Sequence, residues 1–330
     1  MAIRPQISIP VREEGEVGTA RRRAQQMATN VGFDPHQIGQ LAIIVSEAAT
    51  NLIKHGGGGE VLLREMLNGL EVIAIDKGRG MRDVSAALSD GFSTSGTAGN
   101  GLGAIRRLSS LFDVYSQRDT GTVILSRTYL SKDSPRQKLE FGAVCRPKHG
   151  ETLSGDGWAE KEVNGESWIL VADGLGHGPD ANEASREAVK TFLDIRGSRA
   201  TTDCIEALHG SLRKTRGAAV AVVRLDHVHK QLSFCGVGNI AASITGDGNS
   251  RSLISHNGTL GHEVRRIQEF TYPWNRGSKL ILSSDGLATW HLEKYAGLMQ
   301  KHPALIASVL YRDFWRQRDD VTVVVAQESI

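Results

Sequence analysis

Apolar residues recur at helical spacing through the first part of the chain. Val17, Ala20, Ala24, Met27, Ala28 and Val31 fall on one side of a helix, with Arg21, Arg22 and Arg23 facing away. That triplet reads as a solvated face or as a dock for an acidic partner. Asp34 is an N-cap followed by Pro35 at the first helical position. The helix it opens carries Ile38, Leu41, Ala42, Val45, Ala49 and Leu52 on one stripe and stops at Gly56. The periodicity then changes. Residues 61–67 and 70–76, joined by Asn68-Gly69, read as a β-hairpin. A run of small residues, 92–100, leads into a helix through Ile105, Leu108 and Leu111.

Residues 131–138 are polar, contain Pro135 and carry no apolar side chain, which marks a domain boundary. Beyond them, short apolar runs at 168–171, 217–225, 232–237, 280–282 and 321–325 read as buried strands. Amphipathic helices fall at 183–193 and around Ile205, Leu208 and Leu212. The pattern predicts an α+β chain of two domains, 1–130 and 139–330, with 131–138 as the linker.

Composition narrows the class. Across 330 residues, 40% hydrophobic and 23% charged content is ordinary for a globular chain, and a net charge of +2 gives no strong pull on nucleic acid or anionic membrane. No apolar run approaches the ~20 residues needed to span a bilayer. Cys145, Cys204 and Cys235 lack metal or disulfide spacing and read as buried thiols. These features predict a cytoplasmic protein.

Chemistry is concentrated at strand ends. Asp173-Gly174 follows the apolar run at 168–171 in V-A-D-G-L-G-H-G, and Asp285-Gly286 follows the run at 280–282. Asp319-Asp320 precedes the run at 321–325, and Asp156 lies upstream in S-G-D-G. A carboxylate beside a glycine offers an acidic oxygen and an unshielded carbonyl, which suits a hard divalent cation. One such pair is usually a turn. Several could converge on a two-metal site for phosphoryl hydrolysis.

In order, S-G-D, V-A-D-G-x-G-H-G, R-G-A-A-V-A-V-V, F-C-G-V-G-N, S-S-D-G-L and R-D-D-V-T-V-V resemble the metal-dependent PPM/PP2C phosphatases. The subgroup is the bacterial one typified by SpoIIE, RsbU and RsbX. The resemblance implies an α-β-β-α sandwich holding two Mn²⁺ or Mg²⁺. Asp173 would bridge the metals, with the Gly174 carbonyl, Asp285 and Asp319 completing the set. Asp320 stands where asparagine is common, so either carboxylate of that pair is a candidate ligand. Asp156 would act from behind or through water. His177 either protonates the leaving serine oxygen or braces the loop.

The first domain carries its own set. Glu47, Asn51 and His55 recur every four residues beside the apolar stripe. Asp76-Lys77-Gly78-Arg79-Gly80 ends the hairpin, and Gly101-Leu102-Gly103 opens a helix whose N-terminus suits phosphate. The dinucleotide spacing is not met. E-x-x-x-N-x-x-x-H, D-x-G-x-G and G-N-G-L-G together resemble the nucleotide boxes of the GHKL ATPase (Bergerat) α/β sandwich. The branch is the anti-sigma-factor serine kinases typified by RsbT and SpoIIAB. It implies Mg-ATP as cofactor, with Asn51 on the Mg²⁺ and Asp76 on the adenine amino group. Gly78 and Gly80 would admit the base, and Gly101, Leu102 and Gly103 would lie on the phosphates beneath a lid at 93–100. Glu47 would be the general base toward a substrate serine. His55 reads as a polar helix-end residue.

The two resemblances imply a bifunctional regulator that binds ATP and dephosphorylates phosphoserine on a STAS-domain anti-sigma antagonist or stressosome-like partner, with a sigma factor as a further partner. Nucleic acid and membrane are not among the expected partners, and the oligomeric state stays open, a dimer included. The alternative keeps the phosphatase and makes the first domain a nucleotide-gated partner-binding module without phosphotransfer.

Overall fold

The computed structural model describes residues 6–88, 101–131, 138–197, 200–246 and 249–329. The expected lid at 93–100 and linker positions 132–137 lie outside them. The chain forms two compact units. Residues up to 131 form one together with His291–Arg312, and residues 138–290 with those from Asp313 onward form the other. The segment His291–Arg312 therefore belongs structurally with the first unit although its sequence lies within 139–330.

In the first unit the elements run β1 (Ile7–Val11), α1 (Glu14–Val31), α2 (Pro35–Gly56), β2 (Gly59–Met66), β3 (Gly69–Asp76), α3 (Val84–Ala87), α4 (Gly101–Leu108), β4 (Leu111–Gln117) and β5 (Gly121–Tyr129). They build a five-stranded antiparallel sheet in the order β1-β2-β3-β5-β4. Helix α2 starts where the sequence places it. Asp34 Oδ1 accepts from the Gln37 amide at 2.8 Å, while Gln37 returns a bond to the Asp34 N–H. It ends where Gly57 turns left-handed, at φ +68°. The α1 and α2 stripes bury Ala24, Met27, Leu41, Ile44, Val45 and Leu52 against Val61, Leu63, Val72 and Ala74 of the sheet. Burying the Val, Leu, Ile and Met side chains among these contributes roughly 1.5–3 kcal/mol each before the entropy cost of ordering them.

The same strands carry charge on alternate residues. Glu71, 1% exposed, bonds Arg127 at 2.7 and 2.9 Å and pairs with Arg64 at 2.7 Å. Burial alone would raise the Glu71 carboxyl, but the two guanidiniums hold it below the usual carboxylate range.

The second unit runs β6 (Leu139–Arg146), β7 (Asp156–Val163), β8 (Glu166–Gly174), α5 (Pro179–Asp194), α6 (Thr201–Ser211), β9 (Ala218–Asp226), β10 (Gln231–Val237), β11 (Ala241–Gly246), β12 (Asn249–Ser252), β13 (Ser255–His256), β14 (Phe270–Pro273) and β15 (Lys279–Ser283). The chain then passes through α7 (Pro303–Phe314), most of which belongs to the first unit, and ends in β16 (Val321–Glu328) of the second. One sheet has the order β13-β10-β9-β8-β7, with β14 also on β10, and the other β12-β11-β15-β16-β6. Phe141, Trp158, Ile169, Val223, Phe234, Leu280, Leu282 and Val324 fill the space between the sheets. On the β7–β10 sheet, Leu170, Val220 and Val222 pack against Ala184, Ala188, Phe192, Ile205 and Leu208 of α5 and α6. The expected α+β class and β-sandwich are observed. Among the described residues no helix is long and apolar enough to cross a membrane.

Candidate functional site

Four strand ends of the second unit carry the predicted carboxylates. Asp156 and Asp173 are register partners on β7 and β8. Asp285 follows β15, and Asp319 and Asp320 precede β16, which pairs with β15. Glycines close the gaps between these loops. A side chain on Gly286 would meet the carbonyl oxygen of Asp320, and one on Gly174 would meet that of Ala181. The Asp-Gly pairs are thus required by backbone approach as well as by turn chemistry.

The five carboxyls are held differently. Asp320, 3% exposed, is fully engaged, since Oδ1 accepts the Lys148 N–H at 2.8 Å and Oδ2 the Gly155 N–H at 2.9 Å. Asp319 is half-buried, and its Oδ1 accepts from the Asp320 N–H at 3.0 Å. Asp156 Oδ2 accepts from the Ser284 hydroxyl at 2.6 Å, whereas its buried Oδ1 has no hydrogen-bond partner among the described residues. Asp285 is exposed, and Asn239 Nδ2 donates to its Oδ2 at 2.7 Å.

Charge crowding shows in the acidities. Burial, then the neighbouring Asp285, Asp319 and Asp320, pushes the Asp173 carboxyl up to about 7. Burial and Asp173 push Asp156 well above the carboxylate range. Asp285 is raised by burial and Asp319, which Arg316 partly offsets. Among the described residues no three His, Cys, Asp or Glu side chains close on one point at ligating geometry. The donor set is nonetheless all-oxygen, strongly acidic and carries an orphaned carboxylate oxygen, which fits hard divalent cations.

His177 is half-exposed, with Nδ1 at 2.6 Å from Glu151 Oε1. The loop after Asp173 is tied to a second segment where the Leu175 N–H donates to the Gly217 carbonyl at 3.0 Å. Asn239, Ser284 and Glu151 steady three of the predicted residues. Asn239 and Ser284 lie within the motifs F-C-G-V-G-N and S-S-D-G-L, whereas Glu151 gave no sequence signal.

In the first unit, α2 and α4 bring the nucleotide boxes together. A side chain on Gly101 would lie 2.7 Å from Glu47 Oε2 and 3.7 Å from Asn51 Oδ1, so both polar residues stand at the start of α4. Leu102 and Gly103 follow in its first turn and are buried. Asp76 is 8% exposed, and its Oδ1 accepts the Gly78 N–H at 2.8 Å and the Thr122 N–H at 3.1 Å. Burial raises its carboxyl, outweighing those bonds. Gly78 abuts the His55 carbonyl and Gly56, and Gly80, at φ +63°, abuts the Gln117 carbonyl. Their immediate reason is therefore backbone packing around the Asp76 turn. Thr122 and Ser116 also support this turn, with Ser116 Oγ accepting from the Met81 N–H at 2.8 Å and lying 2.9 Å from Thr122 Oγ1. Neither had a sequence signal.

Comparison with known proteins matches two families to separate stretches of the chain. The Histidine kinase-like ATPase domain family matches residues 9–127, and the Stage II sporulation protein E (SpoIIE) family matches residues 164–328. Phosphoserine phosphatase RsbX of Bacillus subtilis (strain 168) is 28% identical over 187 residues, 55% of this chain and 91% of that protein. Serine/threonine-protein kinase RsbT of the same strain is 30% identical over 129 residues, 38% of this chain and 97% of that protein. The crystal structure of RsbX in complex with magnesium superposes with a TM-score of 0.52 at 24% identity, covering 59% of this chain and 98% of that one.

Proposed function

We propose, from the premise that this chain belongs to the SpoIIE family of PP2C-type phosphatase domains and also to the Histidine kinase-like ATPase domain family, that it is a bifunctional signalling regulator. It binds Mg-ATP in its first unit and removes phosphate from phosphoserine in its second. The observation that carries the phosphatase half is the placement of Asp156, Asp173, Asp285, Asp319 and Asp320 at adjoining strand ends, where Gly286 abuts the Asp320 carbonyl and where burial, then the charges of Asp285, Asp319 and Asp320, raises the Asp173 carboxyl to about 7.

In this reading Asp173, the Gly174 carbonyl, Asp285 and Asp319 hold two Mn²⁺ or Mg²⁺. Bound there, the cations would supply Lewis acidity toward the phosphoryl oxygens and an attacking water. Asp320 acts as the anchor of the loop at 148–155, because both of its oxygens are taken by backbone amides. Asp156, fixed by Ser284, accepts protons behind the ligands. His177, steadied by Glu151, delivers a proton to the departing serine oxygen.

In the first unit Asp76 reads the adenine amino group, Asn51 holds the Mg²⁺ of Mg-ATP, and the α4 N-terminus at Gly101, Leu102 and Gly103 receives phosphate. Glu47 stands beside Asn51 at that end, where it can take the proton from a serine hydroxyl. The partner is a STAS-domain antagonist or a stressosome-like protein. RsbT and RsbX, the kinase and the phosphatase that the two parts resemble, support one chain that writes and erases a phosphoserine mark. The setting is cytoplasmic.

The test uses a phosphoserine STAS-domain protein with Mn²⁺ and its unphosphorylated form with Mg-ATP. Release of phosphate by the wild type and not by Asp173→Asn supports the erasing half. Phosphorylation by the wild type and not by Glu47→Gln supports the writing half. Partner binding without phosphorylation by either protein would leave the first unit a nucleotide-gated docking module.

A further inference from the structure

The segment between the Asp285 and Asp319 loops leaves the phosphatase unit and returns to it. Just beyond Asp285 the two strands of this excursion are pinned to each other. The Arg316 N–H donates to the Gly286 carbonyl at 3.0 Å, the Ala288 N–H donates to the Phe314 carbonyl at 2.8 Å, and Leu287 bridges Trp315. Trp315 Nε1 then donates to the carbonyl of Asp319 at 3.0 Å. This neck carries a candidate metal ligand at each root.

Beyond the neck, residues His291–Arg312 belong to the ATP-binding unit. There α7 and the turn before it are bonded to the sheet through named polar contacts. Asp113 of β4 accepts from Lys301 Nζ at 3.1 Å and from the His302 N–H at 2.9 Å. His302 Nε2 lies 3.2 Å from Arg127 Nη1 on β5. The Tyr311 hydroxyl donates to Glu60 on β2 at 2.8 Å. Arg312 Nη1 donates to the backbone carbonyl of Asp76 at 3.4 Å. The last of these touches the residue that reads adenine, and Asp319 follows seven positions later. Residues 303–312 are all buried, so α7 has little freedom to adjust on its own.

We infer that the excursion is a positioning element through which nucleotide occupancy at Asp76 sets the placement of Asp285 and Asp319. The inference rests on the two-site reading above and adds regulation to it. A shift of Asp76 on nucleotide binding would pull on Arg312 and α7, and the neck would pass the displacement to both ligand loops. Tyr311, His302 and Arg312 act as positioning residues. By reciprocity, metal bound in the phosphatase site changes nucleotide affinity by the same factor.

The experiment uses the full chain with Mg²⁺ alone or with Mg²⁺ and the nonhydrolysable ATP analogue AMP-PNP. Hydrogen exchange is followed in peptides covering 285–290 and 313–320, and p-nitrophenyl phosphate hydrolysis is titrated with Mn²⁺. In the wild type the analogue should change exchange in both peptides and shift the apparent Mn²⁺ affinity by about fivefold or more, with KM for the ester unchanged. Tyr311→Phe and Arg312→Gln, checked by calorimetry to retain analogue binding, should lose most of both responses. Exchange and Mn²⁺ affinity that ignore a bound analogue in the wild type would overturn the inference, as would full responses in both variants. A neck that responds to analogue in a chain that never hydrolyses the ester would support the coupling and overturn the phosphatase reading instead.

Discussion

A methyl group added to Gly286 would run into the carbonyl oxygen of Asp320. The Asp285 and Asp319 loops therefore touch through backbone, and their carboxylates share one neighbourhood only while residue 286 has no side chain. Gly286→Ala should force the loops apart, lowering stability by about 1–3 kcal/mol and weakening Mn²⁺ binding. Urea denaturation alongside Mn²⁺ calorimetry would check this, and unchanged Mn²⁺ affinity would refute the shared placement.

Burial, then the charges of Asp285, Asp319 and Asp320, raises the Asp173 carboxyl above the ordinary range. Asp173→Asn should lower Mn²⁺-dependent hydrolysis of p-nitrophenyl phosphate by about 100-fold or more, since several kcal/mol of charge stabilisation go with the metals. The variant should unfold at no lower temperature than the wild type without metal, because a crowded buried charge has been removed. Undiminished hydrolysis would sink the site.

Asp319 and Asp320 are adjacent and chemically identical, yet their surroundings separate them. Asp320→Ala orphans the Lys148 and Gly155 amides and should cost about 2 kcal/mol or more of stability. Asp319→Ala should leave stability nearly unchanged and reduce Mn²⁺ affinity at least about tenfold. Thermal melts and calorimetry on both variants decide the assignment, and the reverse pattern would exchange the two roles.

In the nucleotide unit, Asp76→Asn replaces a carboxylate oxygen that receives two backbone amides. Mg-ATP affinity measured by calorimetry should fall by about 10–100-fold, the cost of one unmade buried hydrogen bond to adenine. Binding at wild-type strength would remove Asp76 from the site.

Stability should depend on pH through His302. Burial, then Arg127 and Arg64, holds its ring far below the ordinary 6.5, down to about 2. Both ring nitrogens face donors, Nδ1 the Ala304 N–H at 3.0 Å and Nε2 Arg127 at 3.2 Å, so a second ring proton has no acceptor. The unfolded chain thus binds a proton that the folded chain refuses. The contribution is complete above 6.5 and is lost as pH falls below it, at about 1.4 kcal/mol per unit. Between pH 7 and 5 the wild type should lose about 2 kcal/mol more than His302→Gln in urea denaturation. Glu71, held low by Arg64 and Arg127 against its burial, acts in the same direction at lower pH. Equal losses in the two proteins would mean that the His302 ring is protonated in the fold.

The sequence by itself determined the parts whose causes are local. The cap at Asp34, a glycine stop read at Gly56 and found one residue on at Gly57, the apolar stripes of α1 and α2, the hairpin at Asn68-Gly69 and the strand-terminal carboxylates all follow from neighbours a few positions apart. The same locality made the Asp-Gly pairs readable as candidate cation ligands, since turn chemistry and ligand chemistry share those residues. Tertiary structure decided what depends on residues far apart in the chain. It separated Asp319 from Asp320 by giving one a pair of amides from 148 and 155. It assembled Arg64, Glu71 and Arg127 from β2, β3 and β5 with His302 from the turn before α7, because a buried charge is tolerable only where distant partners meet it. It also moved His291–Arg312 into the first unit. No local pattern in α7 or the turn before it names the strands they bond to, since Asp113, Arg127 and Glu60 lie far away in the sequence.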